Sequence, residues 1–369
     1  MAVFNDVVRR QLTGKGFMQR YVFLSNAQSG TISRYHIDDT QARVQLRHLG
    51  DTFVGDMVMP MVINREQTFL YAALRSQPFC VAKFNIDPTT GDLKLIEKTP
   101  LAGSMANLAI DYSGNWLLGA SFNQHLASLN RLDAKGQVRS EALILPSQGA
   151  CHCIQACQDN RWLLTCEFEN DTLNVYHHPN QPNALQLVQQ VSVPDGSGPR
   201  HVIFSPSQHH VYVLHEMTAT ISTYRFHSQN GQLHWLGETL ALPIHELGLA
   251  KGRPPSERIA NDIDRVWAAD IQITPDGRFI YITERTRSVI ACLEVSPQTA
   301  LPEYRHYQAV EPQPRSFAIT NDGRWMLVSG ELSPTLGLYK IQPLNGQILL
   351  QDSAPCGDYS AWVSIAECH

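Results

Sequence analysis

The sequence has no apolar run close to the length that crosses a membrane, which is about 20 residues for a helix. Residues 1–20 contain four basic side chains but no apolar stretch of the kind found in a signal peptide. Charged residues make up only 17% of the 369 residues, the formal net charge is -5, and no basic run occurs, which argues against nucleic-acid binding. We therefore predict a cytoplasmic protein with neither a membrane nor a nucleic-acid partner.

The eight cysteines lack the pattern of a disulfide framework, because four of them are bunched between positions 151 and 166 of a long chain. The run Cys151-His152-Cys153 suggests zinc. However, strand alternation would point His152 away from both cysteines, and no second ligand pair completes a tetrahedral set. Walker, Rossmann and Gly-x-Ser-x-Gly motifs are also missing. We therefore expect a reducing compartment and no metal, cofactor or acyl-enzyme chemistry.

No long amphipathic helical pattern occurs, and the dominant feature is a repeat of short β-like segments with a period of about 47 residues. Seven copies can be aligned on the first residue of their second strand. These markers are Tyr21, Phe69, Trp116, Trp162, Val211, Phe279 and Trp325. The longest interval, from Val211 to Phe279, contains a Pro- and Gly-rich segment at residues 243–264, which is predicted to be a surface insertion.

The sixth copy shows the elements of the repeat. Residues 269–273 alternate between apolar and polar types, residues 275–278 read Pro-Asp-Gly-Arg, and residues 279–282 form an apolar run. Residues 288–295 supply a further strand. Each copy thus provides about four strands, which is the size of one propeller blade. The sequence predicts an all-β fold, a seven-bladed β-propeller.

The two ends of the chain complement each other. The first copy begins at a second strand, residues 21–24, whereas the last apolar strand, residues 361–365, has no partner. If the C-terminal strand is innermost in the first blade, the ring closes and no blade presents an open edge. We predict an N-terminal extension at residues 1–20 and a propeller at residues 21–369.

Polar residues recur where the first strand of a copy begins and where the second strand ends. In a propeller these two positions lie at the same face, close to the axis. Ionisable side chains gathered there are costly to bury unless they bind a ligand, although Arg and Glu could also simply neutralise one another in a wet channel. At or next to these positions, the candidate catalytic residues are His152, Arg200, His201, Glu216 and Arg285, and the candidate substrate-binding residues are Arg75, Asp270, Arg315, Glu167 and Asn123.

Several of these residues belong to motifs that resemble those of a known family. The motifs are Met59-Pro60-Met61-Val62, Ala150-Cys151-His152, Gly198-Pro199-Arg200-His201, His215-Glu216, Trp267-Ala268-Ala269-Asp270-Ile271, Glu284-Arg285 and Gln313-Pro314-Arg315-Ser316-Phe317. From about residue 21 onward the chain resembles the seven-bladed propeller lactonases. This family includes cycloisomerase-type 6-phosphogluconolactonases of bacteria and 3-carboxy-cis,cis-muconate lactonising enzymes of fungi, and the bacterial branch is the closer one. Thr172, where relatives often carry Arg, and the insertion depart from the pattern.

The resemblance implies His152, Arg200, Glu216 and Arg285 as the catalytic set, metal-independent hydrolysis of a sugar lactone, and a small anionic lactone or carboxylate as the ligand. Hydrolysis needs a base for water, donors for the oxyanion and an acid for the leaving alkoxide. The assignment is Glu216 or His201 as base, His152 as acid, Arg200 and Arg285 at the oxyanion, and Arg315 with Arg75 at the anionic tail. The two histidines could exchange roles. A lactonising cycloisomerase and a noncatalytic ligand-binding propeller stay open as alternatives.

Overall fold

The computed structural model describes residues 18–40, 43–182, 184–259 and 262–368. In these ranges 28 strands form seven antiparallel sheets of four strands each, so the predicted all-β seven-bladed propeller is confirmed. The only helix in the same ranges is one 3-10 turn at Pro255–Glu257, and none is long and apolar enough to cross a membrane. The predicted N-terminal extension lies largely outside the described residues.

The blades follow one another along the chain, and each runs from an innermost strand at the axis to an outermost strand at the rim. The first three strands, β1 (Gln19–Asn26), β2 (Thr31–Asp38) and β3 (Gln45–Phe53), belong to blade one. Blade two consists of β4 (Val58–Ile63), β5 (Phe69–Leu74), β6 (Cys80–Ile86) and β7 (Leu93–Pro100). Blade three consists of β8 (Met105–Ile110), β9 (Trp116–Ser121), β10 (Leu126–Leu132) and β11 (Val138–Pro146). Blade four consists of β12 (Cys151–Ala156), β13 (Trp162–Glu167), β14 (Thr172–His177) and β15 (Leu187–Ser192).

The second half of the ring repeats the same order. Blade five consists of β16 (Pro199–Phe204), β17 (His210–His215), β18 (Thr220–His227) and β19 (Gln232–Leu240). Blade six consists of β20 (Ala268–Ile273), β21 (Phe279–Glu284), β22 (Val289–Val295) and β23 (Pro302–Ala309). Blade seven consists of β24 (Pro314–Ile319), β25 (Trp325–Gly330), β26 (Thr335–Ile341) and β27 (Ile348–Pro355). The last strand, β28 (Ser360–Cys368), returns to blade one. The predicted insertion lies between β19 and β20 and contains the 3-10 turn.

Strand β28 closes the ring as predicted. It pairs in antiparallel register with β1 and forms the innermost strand of blade one. It also bonds to both neighbouring blades: the backbone N–H of Val363 donates to Ser316 Oγ at 3.3 Å, and that of Glu367 donates to Gln67 Oε1 at 3.3 Å. The strand extends beyond the predicted residues 361–365 in both directions.

Aromatic residues in the second strands of several blades form hydrogen bonds with a neighbouring blade. Trp162 Nε1 donates to the carbonyl of Ser228 at 2.7 Å, and the hydroxyl of Tyr281 donates to the carbonyl of Gly346 at 2.8 Å. Gly346 has φ +70°, and a Cβ placed there would come within 2.8 Å of the Phe279 ring. Glycine is therefore required at this turn both by the backbone conformation and by the close approach of the next blade.

Every innermost strand has a register irregularity near the face at which it begins. In blades four, five and seven the extra residue is His152, Arg200 and Arg315, respectively. A β-bulge leaves its residue unpaired and re-aims the side chain. The bulges therefore turn these three side chains towards the axis, where residues of several blades can meet.

The bulge at His152 also changes its neighbours. The prediction placed Cys151 and Cys153 on the same face, but Cys151 belongs to a hydrophobic cluster shared with blade three, whereas Cys153 belongs to one shared with blade five. The prediction was wrong because the extra residue shifts the alternation by one position. All eight cysteines are free, and no group of three or more His, Cys, Asp or Glu side chains within the described ranges could hold a metal ion.

The second strand has six residues in blades two to seven, and in blades five, six and seven the residue after it joins the central ion pairs. In blade five this strand begins at His210, so the predicted marker Val211 was one residue late. Glu216 is therefore equivalent to the residues that follow β5, β21 and β25, whereas Glu167 is still part of its strand. The residues that follow β5, β17, β21 and β25 are Arg75, Glu216, Arg285 and Glu331.

Candidate active site

The centre of the site is a buried carboxylate that three guanidinium groups share. Glu216 Oε2 accepts hydrogen bonds from Arg200 Nε at 2.7 Å and from Arg285 Nη2 at 3.1 Å. Glu216 Oε1 accepts a hydrogen bond from Arg258 Nη2, which reaches in from the insertion. The backbone N–H of Glu216 donates to the carbonyl of Gly198 at 2.8 Å, so both the backbone and the carboxylate of this residue are held by hydrogen bonds.

This arrangement fixes the ionisation of Glu216. Burial alone would raise the pKa of the carboxyl group, but the charges of Arg285, Arg258 and Arg200 outweigh burial and lower it to about 2. A carboxylate with this pKa and with both oxygens occupied is a poor proton acceptor at neutral pH. The structure therefore does not favour the assignment of Glu216 as the general base, and it gives this residue the task of holding the arginines in place.

Replacing Glu216 with Gln is expected to lower the free energy of unfolding by about 3 kcal/mol at pH 7, since a buried carboxylate with a pKa near 2 would titrate near 4.5 when unfolded. A lowered folded-state pKa contributes stability that is complete above pH 4.5 and is lost as the pH falls towards 2. The difference between parent and variant in urea unfolding should therefore shrink across that window. Glu238→Gln, at an exposed carboxylate of the same blade, is the control and should show little change. An equal penalty at pH 3 and pH 7 would contradict this role.

His201 is held in one orientation by both of its ring nitrogens. Nδ1 donates to Asp270 Oδ1 at 2.9 Å, and Nε2 accepts from Arg200 Nη1 at 3.0 Å. Asp270 is fixed in turn by the backbone N–H of Phe317 at 3.3 Å. Burial and the nearby Arg200 lower the pKa of His201, although Asp270 partly opposes them. His201 is thus neutral with both nitrogens engaged, so the structure does not favour it as the base either.

His152 differs from His201 because neither of its ring nitrogens hydrogen-bonds to another described group, and Nδ1 is buried. Its ring centroid lies 5.2 Å from that of His201 and 6.0 Å from that of Phe122. Burial, followed by the charges of Arg200 and Arg315, holds the pKa of His152 well below the usual range. The imidazole is therefore neutral at pH 7, and its ring nitrogens are open to a water molecule or a substrate, which is not true of Glu216 or His201.

Two further arginines, Arg315 of blade seven and Arg75 of blade two, lie near enough to His152 for their charges to lower its pKa. Arg315 Nη1 donates to Glu331 Oε1 at 2.8 Å, while its buried Nε has no partner among the described groups. Arg75 Nε donates to Ser104 Oγ at 3.0 Å. Burial lowers the pKa of Arg75 to about 10, which still leaves the guanidinium charged at neutral pH. Both residues therefore present charged N–H groups that can receive an oxygen atom with developing negative charge.

The site carries a surplus of positive charge, although the whole chain is negative. Five guanidinium groups meet three carboxylates, while the lowered pKa values keep both histidines neutral at pH 7. These ionised residues are Arg75, Arg200, Arg258, Arg285, Arg315, Glu216, Asp270 and Glu331. A cluster with this surplus attracts small anions.

Two predicted site residues lie away from this cluster. Glu167 accepts hydrogen bonds from Asn174 at 2.9 Å and Asn170 at 3.4 Å, so it braces its own blade. Asn123 is exposed in the turn between β9 and β10 and makes no side-chain hydrogen bond to the described residues. Neither residue forms a hydrogen bond or ion pair with the cluster among the described residues, so a role in substrate binding stays a prediction for both.

Sequence reasoning missed Arg258, because the insertion was treated as surface. Its guanidinium lies 4.6 Å from the ring centroid of Trp267, and the guanidinium of Arg285 lies 3.7 Å from the same centroid. Trp267 thus supports two of the three arginines that bind Glu216, which adds a cation–π contribution to the ion pairs. The one available signal was the motif Trp267-Ala268-Ala269-Asp270, whose Trp comes directly after the insertion.

The fold and the site define a propeller whose axial funnel gathers a surplus of arginines beside a neutral histidine without a hydrogen-bond partner in the described part of the chain. The chain belongs to the family described as "Lactonase, 7-bladed beta-propeller", whose model matches residues 21–365, and the predicted resemblance is confirmed. Among curated proteins, the 6-phosphogluconolactonase of Enterobacter sp. (strain 638) is 28% identical over 349 residues, which are 94% of this chain and 99% of the relative. That of Yersinia enterocolitica is 29% identical over 350 residues, with 94% and 98% covered.

Solved structures show the same fold. The periplasmic gluconolactonase of Pseudomonas aeruginosa superposes with a TM-score of 0.77 at 19% identity, covering 95% of this chain and 99% of that one. A protein from Lactobacillus plantarum superposes with a TM-score of 0.78 at 18% identity, covering 95% and 99%. At identities of 18% and 19%, these similarities show the propeller fold alone.

Proposed function

We propose that this lactonase hydrolyses 6-phosphogluconolactone by acid–base catalysis without a metal, and that His152 is the group that moves the proton. The observation that carries the proposal is the contrast between the two histidines. His201 is locked between Asp270 and Arg200, whereas His152 is neutral and unengaged beside charged N–H groups. The named activity of the curated relatives supports the substrate.

In the first step His152 accepts a proton from a water molecule as the water oxygen attacks the lactone carbonyl carbon. The new C–O bond converts the carbonyl oxygen into an oxyanion, and His152 becomes an imidazolium. Arg75 and Arg315 are the donors for this oxyanion, because both have N–H groups that no described carboxylate occupies. Both side chains are partly buried, which strengthens such contacts relative to those in bulk water.

In the second step the tetrahedral intermediate collapses. The bond from the carbonyl carbon to the ring oxygen breaks, and the His152 imidazolium donates its proton to that departing oxygen. The product is an open-chain hydroxy acid, whose carboxyl group releases a proton to solvent at neutral pH. One histidine therefore serves as base and then as acid, while Glu216 and His201 keep Arg200 and Arg285 in position.

The proposal is tested by proton release from freshly prepared 6-phosphogluconolactone in weak buffer with a pH indicator. We expect the purified protein to accelerate the reaction far above the spontaneous rate, and prolonged treatment with a chelator to leave the rate unchanged, since the described residues offer no complete ligand set. Unphosphorylated gluconolactone should react more slowly because the site is cationic. Turnover of muconates in place of lactones would favour the cycloisomerase alternative, and no turnover of either would favour the binding protein.

A further inference from the structure

A cavity of about 550 Å³ lies beside the funnel, between the insertion and the upper loops of blades six and seven. Its walls include Arg253 and Arg258 from the insertion and Arg285 from the end of β21. Exposed apolar side chains of Ile263 and Leu332 stand at its rim. The cavity is thus a recess of ligand size to which the insertion contributes one wall.

Not all arginines of this cavity are available to a ligand. Arg287 donates to three backbone carbonyls at 2.6 to 3.1 Å, and Arg265 donates to the carbonyl of Lys251 at 3.2 Å, so both brace the loops. Arg253 is different because its only ion pair among the described residues is a long one, with Nε 3.6 Å from Asp262. Asp262 is the single acidic residue among the lining side chains, so the recess is cationic.

The cavity and the funnel share a wall. Arg258 and Arg285 line the cavity, and both also bind Glu216 at the centre of the funnel. Arg258 uses Nη2 for this contact, and its side chain is 23% exposed, so it can meet a ligand on the cavity side at the same time. A molecule that reaches from His152 past this wall would therefore contact a cationic group at each end.

We propose that the cavity receives the phosphate of the substrate, and that Arg253 and Arg258 are specificity-determining residues that bind it. This inference rests on the proposed function, because it assumes that the lactone end lies at His152. A phosphorylated sugar lactone carries its reactive carbonyl at one end and a dianion at the other, which matches two cationic clusters joined by Arg285. Guanidinium groups suit phosphate because they donate paired hydrogen bonds. This moves the anionic tail away from Arg315 and Arg75, to which the sequence assigned it.

The test compares kcat/KM for 6-phosphogluconolactone and for unphosphorylated gluconolactone in Arg253→Gln and Arg258→Gln. We expect Arg253→Gln to lose about 100-fold on the phosphorylated substrate and less than about 3-fold on the neutral one. Arg258→Gln should also lose the preference for the phosphorylated substrate, but it should slow the neutral substrate as well, because Arg258 binds Glu216. Arg253→Gln is the sharper variant because Arg253 does not touch Glu216. Arg258→Lys, which keeps the charge, should retain most of the preference. Arg305→Gln, at a half-exposed arginine on the outer strand of blade six, is the matched control and should change neither value.

A binding measurement separates this inference from the proposed function. Calorimetry with the product 6-phosphogluconate and with gluconate should show that Arg253→Gln weakens only the phosphorylated ligand. If the parent protein hydrolyses the phosphorylated lactone but the two variants keep its preference, the cavity is not the phosphate site and the proposed function stands. If no lactone is hydrolysed, the proposed function fails. In that case, the affinities of the parent and of Arg253→Gln for inorganic phosphate still test whether the cavity binds phosphate. Equal affinities would overturn the assignment of the cavity as a phosphate site.

Discussion

Replacing His152 with Ala is expected to lower kcat for lactone hydrolysis by at least about 100-fold, the usual scale for a positioned acid or base. The reason is that no other neutral group with an unengaged nitrogen lies in the described part of the funnel. KM should change much less than kcat, since the guanidinium groups that bind the substrate remain. The measurement is steady-state proton release with 6-phosphogluconolactone, together with the melting temperature of each variant.

The control for this change is His125→Asn. His125 lies on the same face outside the cluster and has φ +51°, a conformation that Asn tolerates. Its rate should equal that of the parent. The parent should also lose activity in acid only below the usual histidine range, because burial and the charges of Arg200 and Arg315 lower the pKa of His152. A His152→Ala variant with normal kcat would falsify the assignment, as would an acid limb centred above pH 6.5.

The sequence was sufficient for the architecture because the repeat is carried by local features. Turn residues such as those at 275–278 recur at a near-constant spacing, and each is followed by a short apolar strand. Closure by the last strand also followed from local features, because residues 21–24 and 361–365 were complementary unpaired segments. The repeat period and the turn residues can be recognised without knowing which distant residues are in contact. The predictions of seven blades and of closure by the last strand were both confirmed.

The site was harder to predict because a shift of one residue changes which way a side chain points. His152, Arg200 and Arg315 were found since the bulge occurs at an equivalent position in each blade. Glu167 was selected because the blade-five marker was set at Val211, which made Glu167 look equivalent to Glu216. The strand bounds place Glu167 inside β13, whereas Glu216 follows β17. Because side chains along a strand alternate between two faces, a shift of one residue assigns each of them to the wrong face.

The roles of the site residues could not be read from the sequence at all. Glu216 was a reasonable base by residue type, but three arginines from two blades and the insertion lower its pKa to about 2. Arg258 follows the 3-10 turn of a segment with no repeat pattern, and its contact with Glu216 spans 42 positions of the chain. The protonation state of a side chain depends on which charged groups lie near it in space. Because the insertion has no repeat pattern, its sequence does not indicate which residues of the blades its side chains contact.

Deleting residues 360–369 is expected to abolish the native fold, and this is the largest effect we predict on stability. The deletion removes β28, so β1 loses its inner partner and its backbone N–H and C=O groups are left unpaired at the axis. Buried Val363 and Ala366 are also lost from the cores on the two sides of blade one. Because domains are stable by only about 5 to 15 kcal/mol, losing a whole core strand exceeds what the ring can tolerate.

The measurement is the thermal transition by circular dichroism together with size-exclusion chromatography. The truncated protein should show no cooperative transition, or should elute as an aggregate through its open blade edge. The matched truncation removes residues 2–17 from the other end of the chain, which precede β1. We expect that variant to melt like the parent, because the predicted boundary places those residues outside the propeller. A truncation at residue 359 that still melts cooperatively near the parent temperature would show that blade one is stable with three strands, and ring closure by β28 would then contribute little to the fold.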